Sequence, residues 1–373
     1  MVGGRYMEKK TVYTVEEFVE REYCTKSDEI PDINIVMPEA NTLTKGDVDL
    51  GIFDTLGHVT TYQNLSPEEL TDVLEDADVV MVNKNILNEK TLSKAKRLKY
   101  IGECATGFNN IDLDYCNAHG ITVTNVPTYS TNAVAQQVFA FILNHYSRVS
   151  QYNDFVQKDG WKNADTFAPF VFDTDELFGK TIGLVGYGKI GRAVAKIANA
   201  FGMNVLVYTR SYQKSVDAAT DKWGNIDRTR LDGFLDRTDD TITYRTLDNL
   251  LKHSDIVSIH CPLNEESMGL FSHETFAKMR TGAYLVNTAR GPIVDEEALI
   301  EALNTGKLSG AGLDVLEKEP QSKDSKLLGV PNLTITPHVA WAPLETRRRL
   351  VSEVAKNLEA FEHGHPRNVV NNP

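Results

Sequence analysis

Residues Gly186-Tyr187-Gly188-Lys189-Ile190-Gly191 constrain this chain more than any other stretch. The apolar run Thr181-Ile182-Gly183-Leu184-Val185 precedes them, and Arg192 to Phe201 follows with helical spacing. Strand, glycine turn and helix in that order make up the unit that binds a dinucleotide. The first glycine permits a tight turn. The second lets backbone N–H groups approach a pyrophosphate, and the third lets helix pack closely on strand. The helix N-terminus at Lys189 and Ile190 adds partial positive charge for the phosphates. A bare glycine pattern is weak evidence, because such turns also join strands to helices without a ligand; with both flanks in place the spacing predicts a dinucleotide site. Roughly two hundred residues precede the motif, enough for a separate domain, so the cofactor domain comes second in the chain.

Composition narrows the function classes. A chain of 373 residues with 41% hydrophobic content can bury two ordinary cores. No apolar run approaches a membrane span, and the start, Met1-Val2-Gly3-Gly4-Arg5-Tyr6, lacks a signal-peptide core, so a cytoplasmic protein is expected. Cys24, Cys104, Cys116 and Cys261 are scattered, without CxxC or metal-ligand spacing; they read as reduced core residues, and no metal is expected. A formal net charge of −13 disfavours nucleic acid and anionic membrane as partners. An anionic cofactor or substrate must therefore be held by local groups against the overall field.

Residues up to about Asp32 are polar and charged and read as an N-terminal arm or extra hairpin. From Ile33 short β-rich runs alternate with helical segments. Strands are expected at 33–37, 79–82, 100–102 and 121–124, with helices at 67–74 (Ser66 as N-cap), 88–95 and 113–119. Residues 131–149 read as one long apolar helix crossing to the next domain. Further strands are expected at 182–186, 205–208, 256–260, 283–287, 311–315 and 333–336, with helices including 246–253, 273–279 and 296–305. The closing helix, 343–363, is expected to pack back on the first domain. Alternation of strand and helix predicts parallel sheets covered on both faces. The expected fold class is α/β with two doubly wound parallel-sheet domains: a Rossmann cofactor domain at 128–344 inserted into a flavodoxin-like substrate domain formed by 1–127 and 345–373.

Three strand ends downstream of the glycine loop each deliver a polar cluster: Val286-Asn287-Thr288-Ala289-Arg290-Gly291, then Gly312-Leu313-Asp314-Val315 running on to Glu319-Pro320, then Thr336-Pro337-His338-Val339-Ala340-Trp341. In an open α/β sheet ligands bind outside the carboxyl ends of the strands, so the three clusters converge on one crevice. An arginine, an acid and a histidine there supply what reduction of a 2-keto acid needs. Arginine holds the carboxylate bidentately and polarises the neighbouring carbonyl. Histidine donates a proton to the carbonyl oxygen as hydride reaches carbon, and a carboxylate bonded to the imidazole orients it and favours its charged form. Taken singly, Arg290 also reads as a surface loop charge, Glu319 as one of several solvated acids, and His338 as a satisfied loop histidine.

Through Gly-Tyr-Gly-Lys-Ile-Gly, Val-Asn-Thr-Ala-Arg-Gly, Gly-Leu-Asp-Val with Glu319-Pro320, and Thr-Pro-His, the chain resembles the D-isomer-specific 2-hydroxyacid dehydrogenase family from about Tyr100 to Arg367. The resemblance implies that Arg290 binds substrate, Glu319 partners the histidine and His338 is the proton donor. It implies that Thr106 and Gly107, in Cys104-Ala105-Thr106-Gly107-Phe108-Asn109, receive the substrate carboxylate on backbone N–H groups. Asp314 matches the acid on the nicotinamide side, and Cys261 and Pro262 match the segment lining the adenosine half. Ser267, Thr288, Ala289 and Ala340 fall among the cofactor contacts so implied, with Gly186, Gly188, Lys189, Ile190, Gly191, Thr209 and Arg210. Pro127-Thr128-Tyr129-Ser130-Thr131, Val134-Ala135-Gln136 and His338-Val339-Ala340-Trp341 resemble the glycerate dehydrogenase (hydroxypyruvate reductase) branch most. Family members are typically homodimers, which implicates 131–149 and 161–177 in the interface, although the density of apolar residues on that helix also fits burial within one subunit.

Two departures stand out. Members using NAD usually carry an acid at the end of the second cofactor-domain strand, where it bonds the ribose hydroxyls; here Val205-Leu206-Val207-Tyr208 ends in Thr209-Arg210-Ser211. Losing the acid removes repulsion against a 2′-phosphate and Arg210 offers it a partner, which favours NADP, or both cofactors, over NAD with an idle surface arginine. The stretch 212–243 is longer than a short connection and reads as an insertion, either covering the adenosine end or decorating the surface. The expected activity is reduction of hydroxypyruvate, glyoxylate or a similar 2-keto acid to the D-hydroxy acid by NAD(P)H, with closure of an interdomain cleft excluding water. The rivals are a D-lactate or other D-2-hydroxyacid dehydrogenase and, from another class, a non-catalytic NAD(H)-sensing interaction protein of the same fold.

Overall fold

Short apolar runs dictate the first sheet. The protein is described by a computed structural model covering residues 31–373 apart from 222, 223, 225 and 232–240; the expected N-terminal arm lies almost wholly outside the described residues. The described chain divides into two compact units, one running to Tyr129 and resuming over Leu344–Pro373, the other spanning Ser130–Pro343.

In the first unit β1 (Asn34–Met37), β2 (His58–Thr61), β3 (Val79–Val82), β4 (Tyr100–Glu103) and β5 (Thr122–Thr124) form one sheet in the order β2-β1-β3-β4-β5. Every pairing is parallel. All positions of β3 and β4 are buried, as a sheet covered on both faces requires. This is the flavodoxin-like doubly wound order. The sequence reading missed β2, whose His-Val-Thr-Thr is a mostly exposed edge with no apolar alternation to betray it. α1 (Pro67–Val73) opens with a capping box: the Ser66 hydroxyl accepts from the Glu69 N–H, and the Glu69 carboxylate accepts from the Ser66 N–H. α2 (Glu89–Leu92) is shorter than expected, and α3 (Leu113–Ala118) stops ahead of Gly120, whose φ of 67° ends the helix.

The second unit opens with α4 (Thr131–Ser147). The single helix expected over 131–149 is corrected here: Arg148 adopts a left-handed φ of 53°, and a second helix, α5 (Val149–Gln157), starts beyond it. Seven parallel strands follow: β6 (Thr181–Val185), β7 (Asn204–Tyr208), β8 (Thr243–Tyr244), β9 (Ile256–Ile259), β10 (Ala283–Asn287), β11 (Leu308–Leu313) and β12 (Leu333–Ile335). Their order is β12-β11-β10-β9-β6-β7-β8. The first six strands in sequence thus take the Rossmann arrangement, with the reversal of order beside β6. α6 (Lys189–Ala200), α7 (Arg210–Ala219), α8 (Leu247–His253), α9 (His273–Lys278) and α10 (Glu296–Asn304) connect them. The insertion therefore begins as α7, whose Tyr212, Val216 and Ala219 pack with Leu231 in a small cluster of their own.

The last helix, α11 (Leu344–Glu362), belongs to the first unit. Arg347 donates to both carboxylate oxygens of Asp47 at 2.7 Å, Asn357 donates to the Asn125 carbonyl at 3.0 Å, and the Phe361 and Tyr100 rings lie 4.8 Å apart. Asn371 finishes the tail, its amide accepting from Val123 N–H and donating to the Ile121 carbonyl.

Candidate active site

The glycine turn meets the demands of a pyrophosphate cradle, and each glycine is required for a different reason. Gly186 has φ of 104°, and a Cβ there would lie 2.6 Å from the Cys261 nitrogen. A Cβ on Gly191 would lie 2.5 Å from the Gly186 carbonyl oxygen, so close packing of helix on turn forbids one. Gly188 is the opposite case: beyond its own adjoining backbone, nothing lies within 4 Å of where its Cβ would be. The protein does not need that position bare for its own packing, but an approaching diphosphate does. No side chain caps α6, and its first turn carries no acid, so Lys189 and Ile190 open the helix with N–H groups for an anion. The Thr288 hydroxyl oxygen is buried without a partner, which further fits a ligand supplying one.

Loops after β7 and β9 flank this turn. The Gly186 N–H donates to the Tyr208 carbonyl and the His260 N–H to the Val185 carbonyl, tying both strand ends to it. Thr209 caps α7, accepting from the Tyr212 N–H, so Arg210 is the first residue of the helix. Arg210 donates to Glu266 at 3.0 Å, and Lys214 lies 3.6 Å from the other oxygen of the same carboxylate. The Arg210 guanidinium holds the Glu266 carboxyl below the usual carboxylate range. Ser267 closes the turn of its loop: its hydroxyl donates to the Pro262 carbonyl and accepts from the Asn264 N–H. Cys261 is half-buried, and burial pushes its thiol up to about 11, so it lines the turn as an un-ionised group. His260 is likewise held neutral, lowered to about 4 by burial, with Nε2 on the Ser258 hydroxyl at 2.9 Å.

At the end of β10 the fully buried Asn287 folds the next loop, donating to the Arg290 carbonyl and accepting from the Ala289 N–H. Gly291 then lies so close to the Leu316 carbonyl that a Cβ would overlap it. This contact presses the arginine loop onto the segment leading to Glu319. Glu319 accepts from the Leu316 N–H at 2.8 Å through one oxygen, and its other oxygen lies 2.6 Å from His338 Nδ1. The imidazole is thus oriented by a charged partner, and Nε2 is the nitrogen left for chemistry. His338 occupies the left-handed region at φ of 53°, and Asp314 holds it there. The Asp314 carbonyl accepts from the His338 N–H, while its carboxylate accepts from Val339 N–H, Ala340 N–H and the Thr336 hydroxyl. Burial pushes the Asp314 carboxyl up, against the lowering by these hydrogen bonds. Asp314 was expected to face the nicotinamide; its visible work is to shape the histidine turn.

The Thr106–Gly107 loop lies in the first unit, at the carboxyl end of β4. The Thr106 hydroxyl donates to the Val126 carbonyl at 2.8 Å, and its own carbonyl accepts from the Asn125 amide at 2.7 Å. Two strands away in the same sheet, Glu39 follows β1 and is 4% exposed. One of its oxygens accepts from three consecutive N–H groups, Asn83, Lys84 and Asn85, at 2.7, 2.6 and 2.9 Å. Sequence reasoning missed Glu39. An acid directly after a strand and a proline, at a carboxyl sheet edge, was the available signal.

A family description, "D-isomer specific 2-hydroxyacid dehydrogenase, NAD binding domain", matches residues 139–340, more than half of the chain. The chain belongs to that family. The D-isomer-specific 2-hydroxyacid dehydrogenases are NAD(P)-dependent oxidoreductases, and the glycine turn described above lies within the matched NAD-binding region. A hydroxypyruvate reductase of Blautia hydrogenotrophica is 36% identical over 342 residues, covering 91% of this chain and all of the relative. A D-lactate dehydrogenase structure from Aquifex aeolicus, complexed with NAD and lactic acid, superposes with a TM-score of 0.74 at 31% identity, over 91% of this chain and 99% of that one. An NADPH-dependent glyoxylate/hydroxypyruvate reductase from Sinorhizobium meliloti, in complex with NADP and malonate, superposes with a TM-score of 0.73 at 26% identity, over 91% and 97%. No helix among the described residues is long and apolar enough to cross a membrane.

Proposed function

We propose that this dehydrogenase reduces hydroxypyruvate, with glyoxylate as a smaller substrate, to the D-2-hydroxy acid, using NADPH and also accepting NADH. The observation that carries the reading is the 2.6 Å contact between His338 Nδ1 and Glu319 on the loops that follow the cofactor-domain strands. The bound nicotinamide supplies a hydride to the 2-carbon. Arg290 grips the substrate carboxylate and polarises the adjoining carbonyl. His338 gives its Nε2 proton to the carbonyl oxygen as negative charge develops there. Glu319 keeps the imidazole oriented, while Asp314 fixes the turn on which the histidine stands. Thr106 and Gly107 receive the substrate carboxylate on backbone N–H groups. In the oxidative direction the same imidazole takes the proton back.

The branch resemblance and the reductase relatives support hydroxypyruvate and glyoxylate; the lactate dehydrogenase likeness makes pyruvate the competing substrate. Arg210 and the hydroxyls of Thr209 and Ser211, in place of an acid after β7, support NADPH. The test is a panel of hydroxypyruvate, glyoxylate and pyruvate with each reduced cofactor, followed by loss of nicotinamide absorbance. Highest kcat/KM for hydroxypyruvate with NADPH agrees with the reading, and highest for pyruvate replaces it with a D-lactate dehydrogenase. No turnover of any of them returns the chain to the sensor reading.

We also infer a homodimer. Phe167 and Phe170 are more than nine-tenths exposed, and Phe178 and Trp161 are exposed as well, in the segment after α5. Bare aromatics concentrated in one segment are the kind of surface that another chain covers, which supports the inference.

A further inference from the structure

The loops after β7 and β9 lie on either side of the glycine turn, because their strands are the two neighbours of β6. A dinucleotide whose diphosphate rests over Gly188 must therefore place its adenosine ribose between them. The charged groups that meet there are Arg210 and Lys214 from α7 and Glu266 from the loop after β9. All three are more than half exposed, so the triad is weakly held and open to rearrangement.

We propose that Glu266 is the residue that sets how this enzyme divides between NADP and NAD, acting as a removable substitute for the acid missing after β7. The inference rests on the assignment of the adenosine end to this place and goes beyond it by naming the opposing group. With the 2′-phosphorylated cofactor, the incoming phosphate takes over Arg210 and Lys214, and the carboxylate, left beside a second anion, repels it. With the unphosphorylated cofactor, the carboxylate accepts from the ribose hydroxyls, and the two cations stay neutralised by it. Arg210 alone would make the site selective for the phosphate; Arg210 opposed by Glu266 makes it tolerant of both. Arg210 carries the attraction, and Glu266 decides its net strength.

The test uses fragments that lack the nicotinamide, so that binding is read apart from turnover. The full-length wild type, Glu266→Gln and Arg210→Ala are titrated calorimetrically with 2′,5′-ADP and with ADP at low salt. The proposal expects Glu266→Gln to tighten 2′,5′-ADP and to weaken ADP, raising the preference for the 2′-phosphate by about tenfold. Arg210→Ala should lower that preference, and added salt should shrink both effects. An unchanged preference in Glu266→Gln, with 2′,5′-ADP still bound through Arg210, overturns the role of Glu266 and leaves the adenosine assignment standing. If Arg210→Ala has no effect on either fragment, the adenosine end lies elsewhere, and both proposals fall together. The thermal midpoint of each variant, read without ligand, shows whether the fold is intact; an unfolded glutamine variant is replaced by Glu266→Ser, with the same expectation.

Discussion

Glu319 divides its two oxygens between the Leu316 N–H and the imidazole of His338, so it shapes its own loop and orients that imidazole at once. A glutamine at 319 retains the first contact by turning its carbonyl oxygen to Leu316, but it cannot offer the histidine a negative charge. In Glu319→Gln the kcat for hydroxypyruvate should therefore fall by about tenfold or more, with little change in dinucleotide affinity. Steady-state kinetics beside a titration of NADPH binding check this, and an unchanged kcat removes Glu319 from the mechanism. Asp314 acts differently, through three backbone contacts to residues 338–340. Its strand-end position was legible in the sequence, but a hydrogen-bond pattern folding back on a turn more than twenty residues away was not.

At the level of elements, the glycine turn separates two kinds of constraint. Gly191→Ala places a methyl group against the Gly186 carbonyl and should cost about 1–3 kcal/mol of stability as well as dinucleotide binding. Gly188→Ala meets open space and should leave the thermal midpoint unchanged while weakening NADPH by about tenfold or more, because the methyl stands where the diphosphate lies. Thermal melts with and without NADPH distinguish the two. These glycines were readable because their spacing encodes a turn. The fully buried strands β3 and β10 were readable because unbroken apolar runs admit few other fates. β2 and β8 were not, since an edge strand pairs by backbone and asks little of its side chains. Arg148 looked like a helix residue, and no local signal marks it as the left-handed break between α4 and α5. The Arg210–Glu266 pair escaped sequence reasoning for a related reason: its partners are 56 residues apart and meet only once β7 and β9 flank β6.

For the whole molecule, stability and assembly follow from what is buried and what is bare. His145 stacks on Tyr284 and meets Ser309, and burial lowers its pKa from 6.5 to about 4. Between those values the unfolded chain binds a proton that the native state refuses, so stability falls as pH drops from about 6.5 to 4. The loss from this group should be of the order of 1–2 kcal/mol after allowing for its partial exposure. Urea midpoints at pH 7 and 4.5 measure it, and His145→Gln should flatten the difference. Replacing Phe167 and Phe170 with serine should release monomers in light scattering if those bare rings form the subunit interface. The proposed mechanism rests on one imidazole, and the most direct measurement is the turnover of hydroxypyruvate with NADPH by His338→Asn, alongside a titration of NADPH binding. The account predicts a fall in kcat of about 10²–10⁴-fold with NADPH affinity within a few-fold of wild type. Near wild-type turnover in that variant would contradict it.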